Sequence, residues 1–447
     1  MKYYSTNGKA PLVTLEDAVI QGLADDRGLY MPERVPHIDS DIIKTLKDRT
    51  FIENSTIVAQ AFFGDDMDAD ALAEIVSDTL SFETPVIQVD SDIYSLELFH
   101  GPTLAFKDVG ARFMARMLGY FVRRKGLADE VNVLVATSGD TGGAVANGFL
   151  GVEGVRVFVL YPKGKVSPLQ ESQFTTLGRN ITAIEIDGRF DDCQALVKEA
   201  FADRELNSRM QLTSANSINV ARFLPQSFYY FNAYAQLDRM GKANDVIISV
   251  PSGNFGNLTA GLFAARMGLP VSRFIAANNS NDVFFNYLQT GQYIPRPSIE
   301  TLANAMDVGN PSNFARILEL YRNDYQAIRQ MISGFRYDDG QIAAAIRRIL
   351  SDTGYLLDPH GACGYLALED YGLKQGQTGL FLETAHPAKF KETVEAIIGS
   401  EIDVPNSLKA FMNAEKHSVA LGSDYAGFRA YLADNQAPPP YTANRPS

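Results

Sequence analysis

Cysteine is scarce in this chain: 447 residues carry two, Cys193 and Cys363, far apart in the sequence. They make neither a disulfide framework nor a metal-type cluster, and a reducing, cytoplasmic setting is the simplest inference. Histidine is scarce too. The five, at 37, 100, 360, 386 and 417, form no HExxH and no paired His/Cys spacing, so no metal is expected. Positive charge is in deficit, with 40 Lys and Arg against 53 Asp and Glu and a net charge of -13. That balance argues against a general affinity for nucleic acid or anionic membranes, and an anionic ligand needs a local site. No apolar run reaches the roughly 18 residues of a membrane helix, and no basic segment leads into an apolar one at the amino terminus, so neither a membrane span nor a signal peptide is expected. The motifs G-x-G-x-x-G, G-x-x-x-x-G-K-[ST] and G-x-S-x-G are missing, which disfavours a dinucleotide-binding dehydrogenase, a P-loop NTPase and a serine hydrolase.

What is present is an ordinary globular composition, 46% hydrophobic and 21% charged, in a length that allows two or three domains. Residues 1–95 read as short helical segments. Two strands around an Asp-Ser-Asp turn, 85–89 and 93–99, lead to a helix over 109–124. Asp108 is its expected cap, and Phe113, Met117, Tyr120 and Phe121 form its apolar stripe. β-branched apolar runs at 131–136, 155–161, 181–186, 246–250, 273–277 and 379–383 then alternate with helical stretches, among them 191–201 and a long one over 218–240. Such alternation predicts βαβ units, an α/β fold and parallel sheets. The segment 291–313, with Pro295, Pro297 and Pro311, reads as a long loop over the surface or over a cleft, and the proline-rich tail 437–447 is not core.

Three clusters point to chemistry. Lys107 follows Leu104, Ala105 and Phe106, an apolar approach that favours a neutral, nucleophilic amine of the kind that forms Schiff bases with carbonyl compounds. The alternative is an ordinary solvated lysine at the start of a helix. Two strand-loop-helix junctions, Thr137 to Gly143 and Ser252 to Asn257, offer backbone N–H groups and a helix N-terminus to a phosphate or carboxylate, or are plain βα turns. Asn216, Ser217, Asn219 and Arg222 suit an anionic substrate group, with Lys163 and Lys165 adding charge, or else form a helix cap with a surface arginine.

The strings HGPTLAFKD (100–108), ATSGDTGGAV (136–145), NSINVARFLPQ (216–226), PSGNFGN (251–257) and ETAHPAKF (383–390) resemble the threonine synthase family of fold-type II enzymes, which use pyridoxal phosphate (PLP). The amino-terminal hundred residues resemble its bacterial and fungal branch. The resemblance implies two open, mostly parallel twisted sheets flanked by helices, like the tryptophan synthase β subunit, after a largely helical amino-terminal extension. The expected units are 1–95, a smaller α/β domain over 96–225 and a larger one over 226–447, completed by amino-terminal segments, with PLP between them. By the same resemblance Lys107 forms the Schiff base with PLP, beside Phe106. Ser252, Gly253, Asn254, Phe255, Gly256 and Asn257 hold the cofactor phosphate, and Thr384 faces the pyridine nitrogen. Ser138, Gly139, Asp140, Thr141 and Gly142 take the substrate carboxylate; Asn216, Ser217, Asn219, Arg222 and Lys163 lie toward the substrate phosphate. The implied reaction converts O-phospho-L-homoserine and water to L-threonine and phosphate. Threonine or serine dehydratases and catalytically inactive phosphate-ligand binding relatives are the alternatives. A monomer without nucleic-acid or membrane partners is expected.

Overall fold

The apolar runs become the middle strands of two sheets. The computed structural model describes residues 1–126 and 130–435; the tail expected at 437–447 lies outside the described residues. In chain order the strands are β1 (Tyr3–Ser5), β2 (Tyr30–Pro32), β3 (Val86–Gln88), β4 (Ile93–Glu97), β5 (Val131–Ala136), β6 (Val155–Pro162), β7 (Ile181–Asp187), β8 (Gln211–Ser214), β9 (Val246–Pro251), β10 (Val271–Asn278), β11 (Ile332–Arg336), β12 (Thr378–Glu383) and β13 (Val419–Gly422). The larger sheet has the order β11-β10-β9-β12-β4-β3, the smaller one β13-β7-β6-β5-β8, and β1 pairs with β2 alone. Every pairing in the two main sheets is parallel except β3 with β4. Strands β5, β6, β9 and β12 are buried at every residue, because helices cover both faces of a parallel sheet.

Strand pairing cuts across the expected units. β4 and β3, placed around position 95, join the larger sheet, whereas β13, near the carboxyl end, returns to the smaller one beside β7. Position 95 lies inside β4, and β13 carries the end of the 226–447 unit back to the smaller sheet. The single helix expected over 218–240 is broken into Val220–Phe223, a 3-10 turn Leu224–Gln226 and Ser227–Arg239, because Pro225 has no N–H to continue the ladder. The helix Lys107–Lys125 is buried around most of its circumference, at Ala111, Met114 and Leu118 as well as at Phe113, Met117 and Phe121, so it is an interior helix rather than an amphipathic surface one. Among the described residues no helix is long and apolar enough to cross a membrane.

The carboxyl ends of β4, β5, β8, β9 and β12 all face one cavity, whose lining includes the residues that follow each of these strands. Ligands of open α/β sheets bind at such strand ends.

Candidate active site

Lys107 is held by a strained and heavily bonded loop. Leu104 adopts a φ of 54°, a left-handed conformation that a residue with a side chain keeps only when its surroundings enforce it. Phe106 N donates to Thr384 O (2.8 Å), His386 N to Leu104 O (3.1 Å), and the Tyr229 hydroxyl to Phe106 O. Asp108, expected as the helix cap, sits inside the first turn instead. Its carboxylate accepts from Thr103 N (2.9 Å) and Thr103 Oγ1 (2.6 Å) and closes the loop. Lys107 is thus the first residue of its helix, at the positive end of the dipole, with a side chain 15% exposed. Burial is the main reason its pKa falls below the ordinary lysine range. Asp140, 3.8 Å from Nζ, opposes the fall, while Lys389 and Arg222 reinforce it.

The loop after β9 is built for an anion. Phe255 turns left-handed (φ 62°), and the helix Gly256–Arg266 starts with no capping side chain. Thr14, Thr50, Ser167 and Asp338 cap their own helices with side-chain oxygens, so the bare turn here leaves its first N–H groups free for a ligand. Asn257 Oδ1 accepts from the Tyr230 hydroxyl (2.6 Å), and its buried Nδ2 has no partner among the described residues.

The loop after β5 differs from expectation. Thr137 Oγ1 accepts from Gly139 N (2.9 Å) and Gly142 N (2.8 Å), so both N–H groups are used internally, and neither glycine lines the cavity. Ser138, Asp140 and Thr141 do line it. Burial alone would raise the Asp140 carboxyl, but the positive charge of Lys389 and, when it is protonated, that of Lys107 more than offset this and hold it well below the usual range. An ionised carboxylate repels a second one, so the Asp140 side chain is not itself a donor to a substrate carboxylate.

Asn216, Ser217 and Arg222 reach the cavity from the end of β8, and Thr384 from the end of β12. Arg222 is not a surface residue. It is 2% exposed, and its Nε donates to Ala215 O (2.8 Å) and its Nη1 to Lys107 O (3.3 Å), tying this loop to the Lys107 helix. Asn219 does not reach the cavity: its Oδ1 accepts from Ala221 N (3.0 Å) as a helix cap and its Nδ2 donates to Val19 O (3.0 Å). Lys163 is exposed and lies outside the cavity. Phe106, Ser252, Gly253, Asn254, Phe255, Gly256 and Asn257 are all in its wall.

Three family descriptions match the chain: "Threonine synthase N terminus" over 2–80, "Pyridoxal-phosphate dependent enzyme" over 79–383, and "Threonine synthase, C-terminal" over 361–432. Threonine synthase of Escherichia coli K12 is 46% identical over 436 residues, which is 98% of this chain and 100% of that protein. The chain belongs to the threonine synthase family. The crystal structure of the Escherichia coli threonine synthase superposes with a TM-score of 0.91 over 97% of this chain and 100% of that one. PLP-bound threonine synthase from Brucella melitensis, 37% identical, gives 0.90 over 97% of this chain and 99% of its own. The protein is a PLP-dependent enzyme with a small-molecule substrate, and the dehydratase and inactive-binder alternatives are not favoured.

The cavity fits that cofactor on its own terms. An amine suited to a carbonyl, an uncapped donor-rich turn with an orphaned Asn257 Nδ2, and the Thr384 hydroxyl meet in it. The turn is also tight. A Cβ at Gly253 would fall 2.8 Å from Met306 Cα and 3.1 Å from Ala305 O, both backbone atoms of the segment 304–306. Gly253→Ala is therefore expected to displace that segment and weaken PLP binding by about 10- to 100-fold, measured by titrating cofactor-free protein, since overpacking costs about 1–3 kcal/mol.

Several residues of the cavity wall belong to no motif of the sequence. The expected loop 291–313 carries a 3-10 turn, Asn304–Met306, and crosses the cavity at 304–308. Asp307 holds it there, with Oδ1 accepting from Asn279 Nδ2 (2.8 Å) and Thr301 Oγ1 (2.7 Å); burial pushes its carboxyl up to about 6. His360 Nε2 accepts from Ala305 N (3.1 Å), and its Nδ1 meets Asp358 Oδ1 (2.5 Å). Lys389 stands behind Asp140. Ala388 and Phe390 flank it much as Ala105 and Phe106 precede Lys107, the same apolar signal that singles out Lys107.

Proposed function

We propose that the protein converts O-phospho-L-homoserine and water to L-threonine and inorganic phosphate. The observation that carries this reading is the convergence, in one cavity, of Lys107, the uncapped 252–257 turn and the donors Asn216, Ser217 and Arg222, which supply two separate anion sites around one amine. Ser252, Gly253, Asn254, Gly256 and Asn257 hold the cofactor phosphate, Lys107 binds its carbonyl carbon and Thr384 meets its ring nitrogen with a neutral hydroxyl. Bound there, PLP supplies an electron sink conjugated with the substrate Cα. Lys107, released when the substrate amine takes its place, accepts the Cα proton at Nζ. Loss of a further proton at Cβ lets phosphate depart from Cγ, and return of protons with addition of water at Cβ completes threonine. One amine serves these transfers because burial lowers its pKa from the ordinary lysine range toward the working pH, where an acid or base is most effective.

Ser138 and Thr141, at the amino end of the helix Asp140–Phe149, hold the substrate carboxylate by neutral donation. Asn216 and Ser217 hold the substrate phosphate, with Arg222 supplying positive field from behind while its Nε and Nη1 brace backbone carbonyls. Asn219 and Lys163 have no part in the site. The segment 304–308 covers the cavity and limits access of water. The proposal includes a monomer in a reducing cytoplasm, in keeping with the buried free thiols of Cys193 and Cys363.

The test is phosphate release with O-phospho-L-homoserine set against keto-acid release from serine and threonine. Equimolar phosphate and threonine are expected from the first. Keto acid from the others with no turnover of the first would replace this reading with a dehydratase.

A further inference from the structure

A second lysine stands behind the first. Lys389, on the turn Pro387–Phe390, has a side chain with no exposed surface, and its Nζ donates to Asp140 Oδ1 (2.8 Å) and Thr103 O (2.7 Å). Asp140 Oδ1 also accepts from Gln170 Nε2 (2.9 Å), while Oδ2 faces Lys107 Nζ at 3.8 Å. One carboxylate is thus shared by two amines on unequal terms. A buried charge is tolerated when it is closely paired and hydrogen-bonded, and the shorter contact, the added carbonyl and the complete burial commit Asp140 first to Lys389. The other charged groups facing Lys107 are Arg222, from the Val220–Phe223 helix, and Asp358, just ahead of the helix Pro359–Tyr371; Asp108, on its own helix, is turned to Thr103. Among these neighbours Lys389 is the cation bonded to the carboxylate that faces the reactive amine.

We propose that Lys389 is a positioning residue of the reaction: it draws Asp140 out of a close pair with Lys107, so that Lys107 is uncharged before it receives a proton and has Asp140 Oδ2 beside it afterwards. This rests on the reading of Lys107 as the base. Lys389 exchanges no atom with the substrate; the proton moves between the substrate carbon and Lys107 Nζ. A lysine that merely satisfied Thr103 O and Asp140 would leave the protonation of Lys107 untouched, and that difference is measurable.

The test compares Lys389→Met, Lys389→Arg and Asp140→Asn/Lys389→Met in the full-length holoenzyme. In Lys389→Met the carboxylate is left to Lys107 alone. The acid limb of the kcat profile, which reports the substrate-bound enzyme, is expected to move up by about one pH unit or more, with kcat at neutral pH reduced about tenfold and partly recovered at higher pH. Lys389→Arg keeps the charge and returns the limb toward its original place, and the double variant, lacking both charges, brings it back down. The same order is expected without turnover, in the pH dependence of Lys107 acetylation by a pulse of acetic anhydride, read by mass spectrometry on cofactor-free full-length protein. Should Lys389→Met fail to fold, Asp140→Asn carries the test, with the labelling midpoint moving down. A rate lowered uniformly across pH, with Lys107 labelling at its wild-type midpoint in every variant, overturns the proposal and leaves Lys389 a structural tie. Failure of the underlying reading looks different: a Lys107→Ala enzyme that still turns over.

Discussion

Replacing Lys107 with alanine is expected to reduce turnover of O-phospho-L-homoserine by at least about 10⁴-fold, the scale on which removal of a residue that is both nucleophile and base is felt. The visible absorbance of the lysine-bound cofactor should vanish with it. Little stability should be lost, because the side chain makes one long ionic contact, 3.8 Å to Asp140, and its removal also removes a desolvated amine. The loop around it is held by backbone bonds and by Asp108 and Tyr229 rather than by the lysine itself. Loss of activity with an unchanged urea midpoint is therefore the expected pair of results. A Lys107→Ala protein that kept the absorbance band and turned over substrate would remove the residue from the chemistry.

Arg316→Met is expected to produce the largest loss of stability, about 3–4 kcal/mol, read as a lower urea midpoint. The guanidinium is fully buried and rests on the Phe223 ring at 4.0 Å. Nη1 donates to Ser217 O (2.8 Å) and Asn313 Oδ1 (2.6 Å), Nη2 to Ile218 O (2.5 Å) and Tyr30 O (3.1 Å), and Nε to Tyr30 O (3.3 Å). Burial lowers its pKa to about 9, so it is charged at neutral pH, and among the described residues no carboxylate pairs with it. Its partners are oxygens from three parts of the chain: β2, the loop after β8 and the end of the segment that crosses the cavity. Methionine fills much of the same space and relieves the desolvated charge, but it leaves four buried oxygens to find new donors at about 1–3 kcal/mol each, which outweighs the relief. The same loop carries Asn216 and Ser217, so KM for phosphohomoserine should rise while the cofactor spectrum stays. An unchanged midpoint would show that the bonds are replaced by water.

The parts of the site that could be read beforehand are those continuous in the chain. Lys107 with its apolar approach, the 252–257 turn and the 216–222 cluster each fit in a short window, where residue type and a following helix already imply the chemistry. What could not be read comes from elements that meet only in the fold. The role of Asp140 depends on Lys389, which arrives from beyond the end of β12, and no local pattern says that a carboxylate in a glycine-rich loop has two lysines for neighbours. His360 reaches the cavity over a similar distance in sequence, whereas for the segment 304–308 the prolines showed a long loop over the surface or a cleft but not which cleft it covers. The buried strands were legible because β5, β6 and β9 are largely apolar runs, each interrupted by a single polar residue, Asn132, Arg156 and Ser249. β8 and β13 were missed: Gln211–Ser214 mixes polar and apolar residues in a short window, and Val419–Gly422 lies at the edge of its sheet with alternate residues exposed. Pro225 was visible, yet the apolar pattern on either side of it outweighed the break that a missing N–H imposes.

The most direct measurement is borohydride reduction of the yellow holoenzyme followed by proteolysis and mass spectrometry. A single pyridoxyl group is expected, carried by the peptide that contains Lys107. A pyridoxyl group on Lys389 or any other lysine, with Lys107 unmodified, would contradict it.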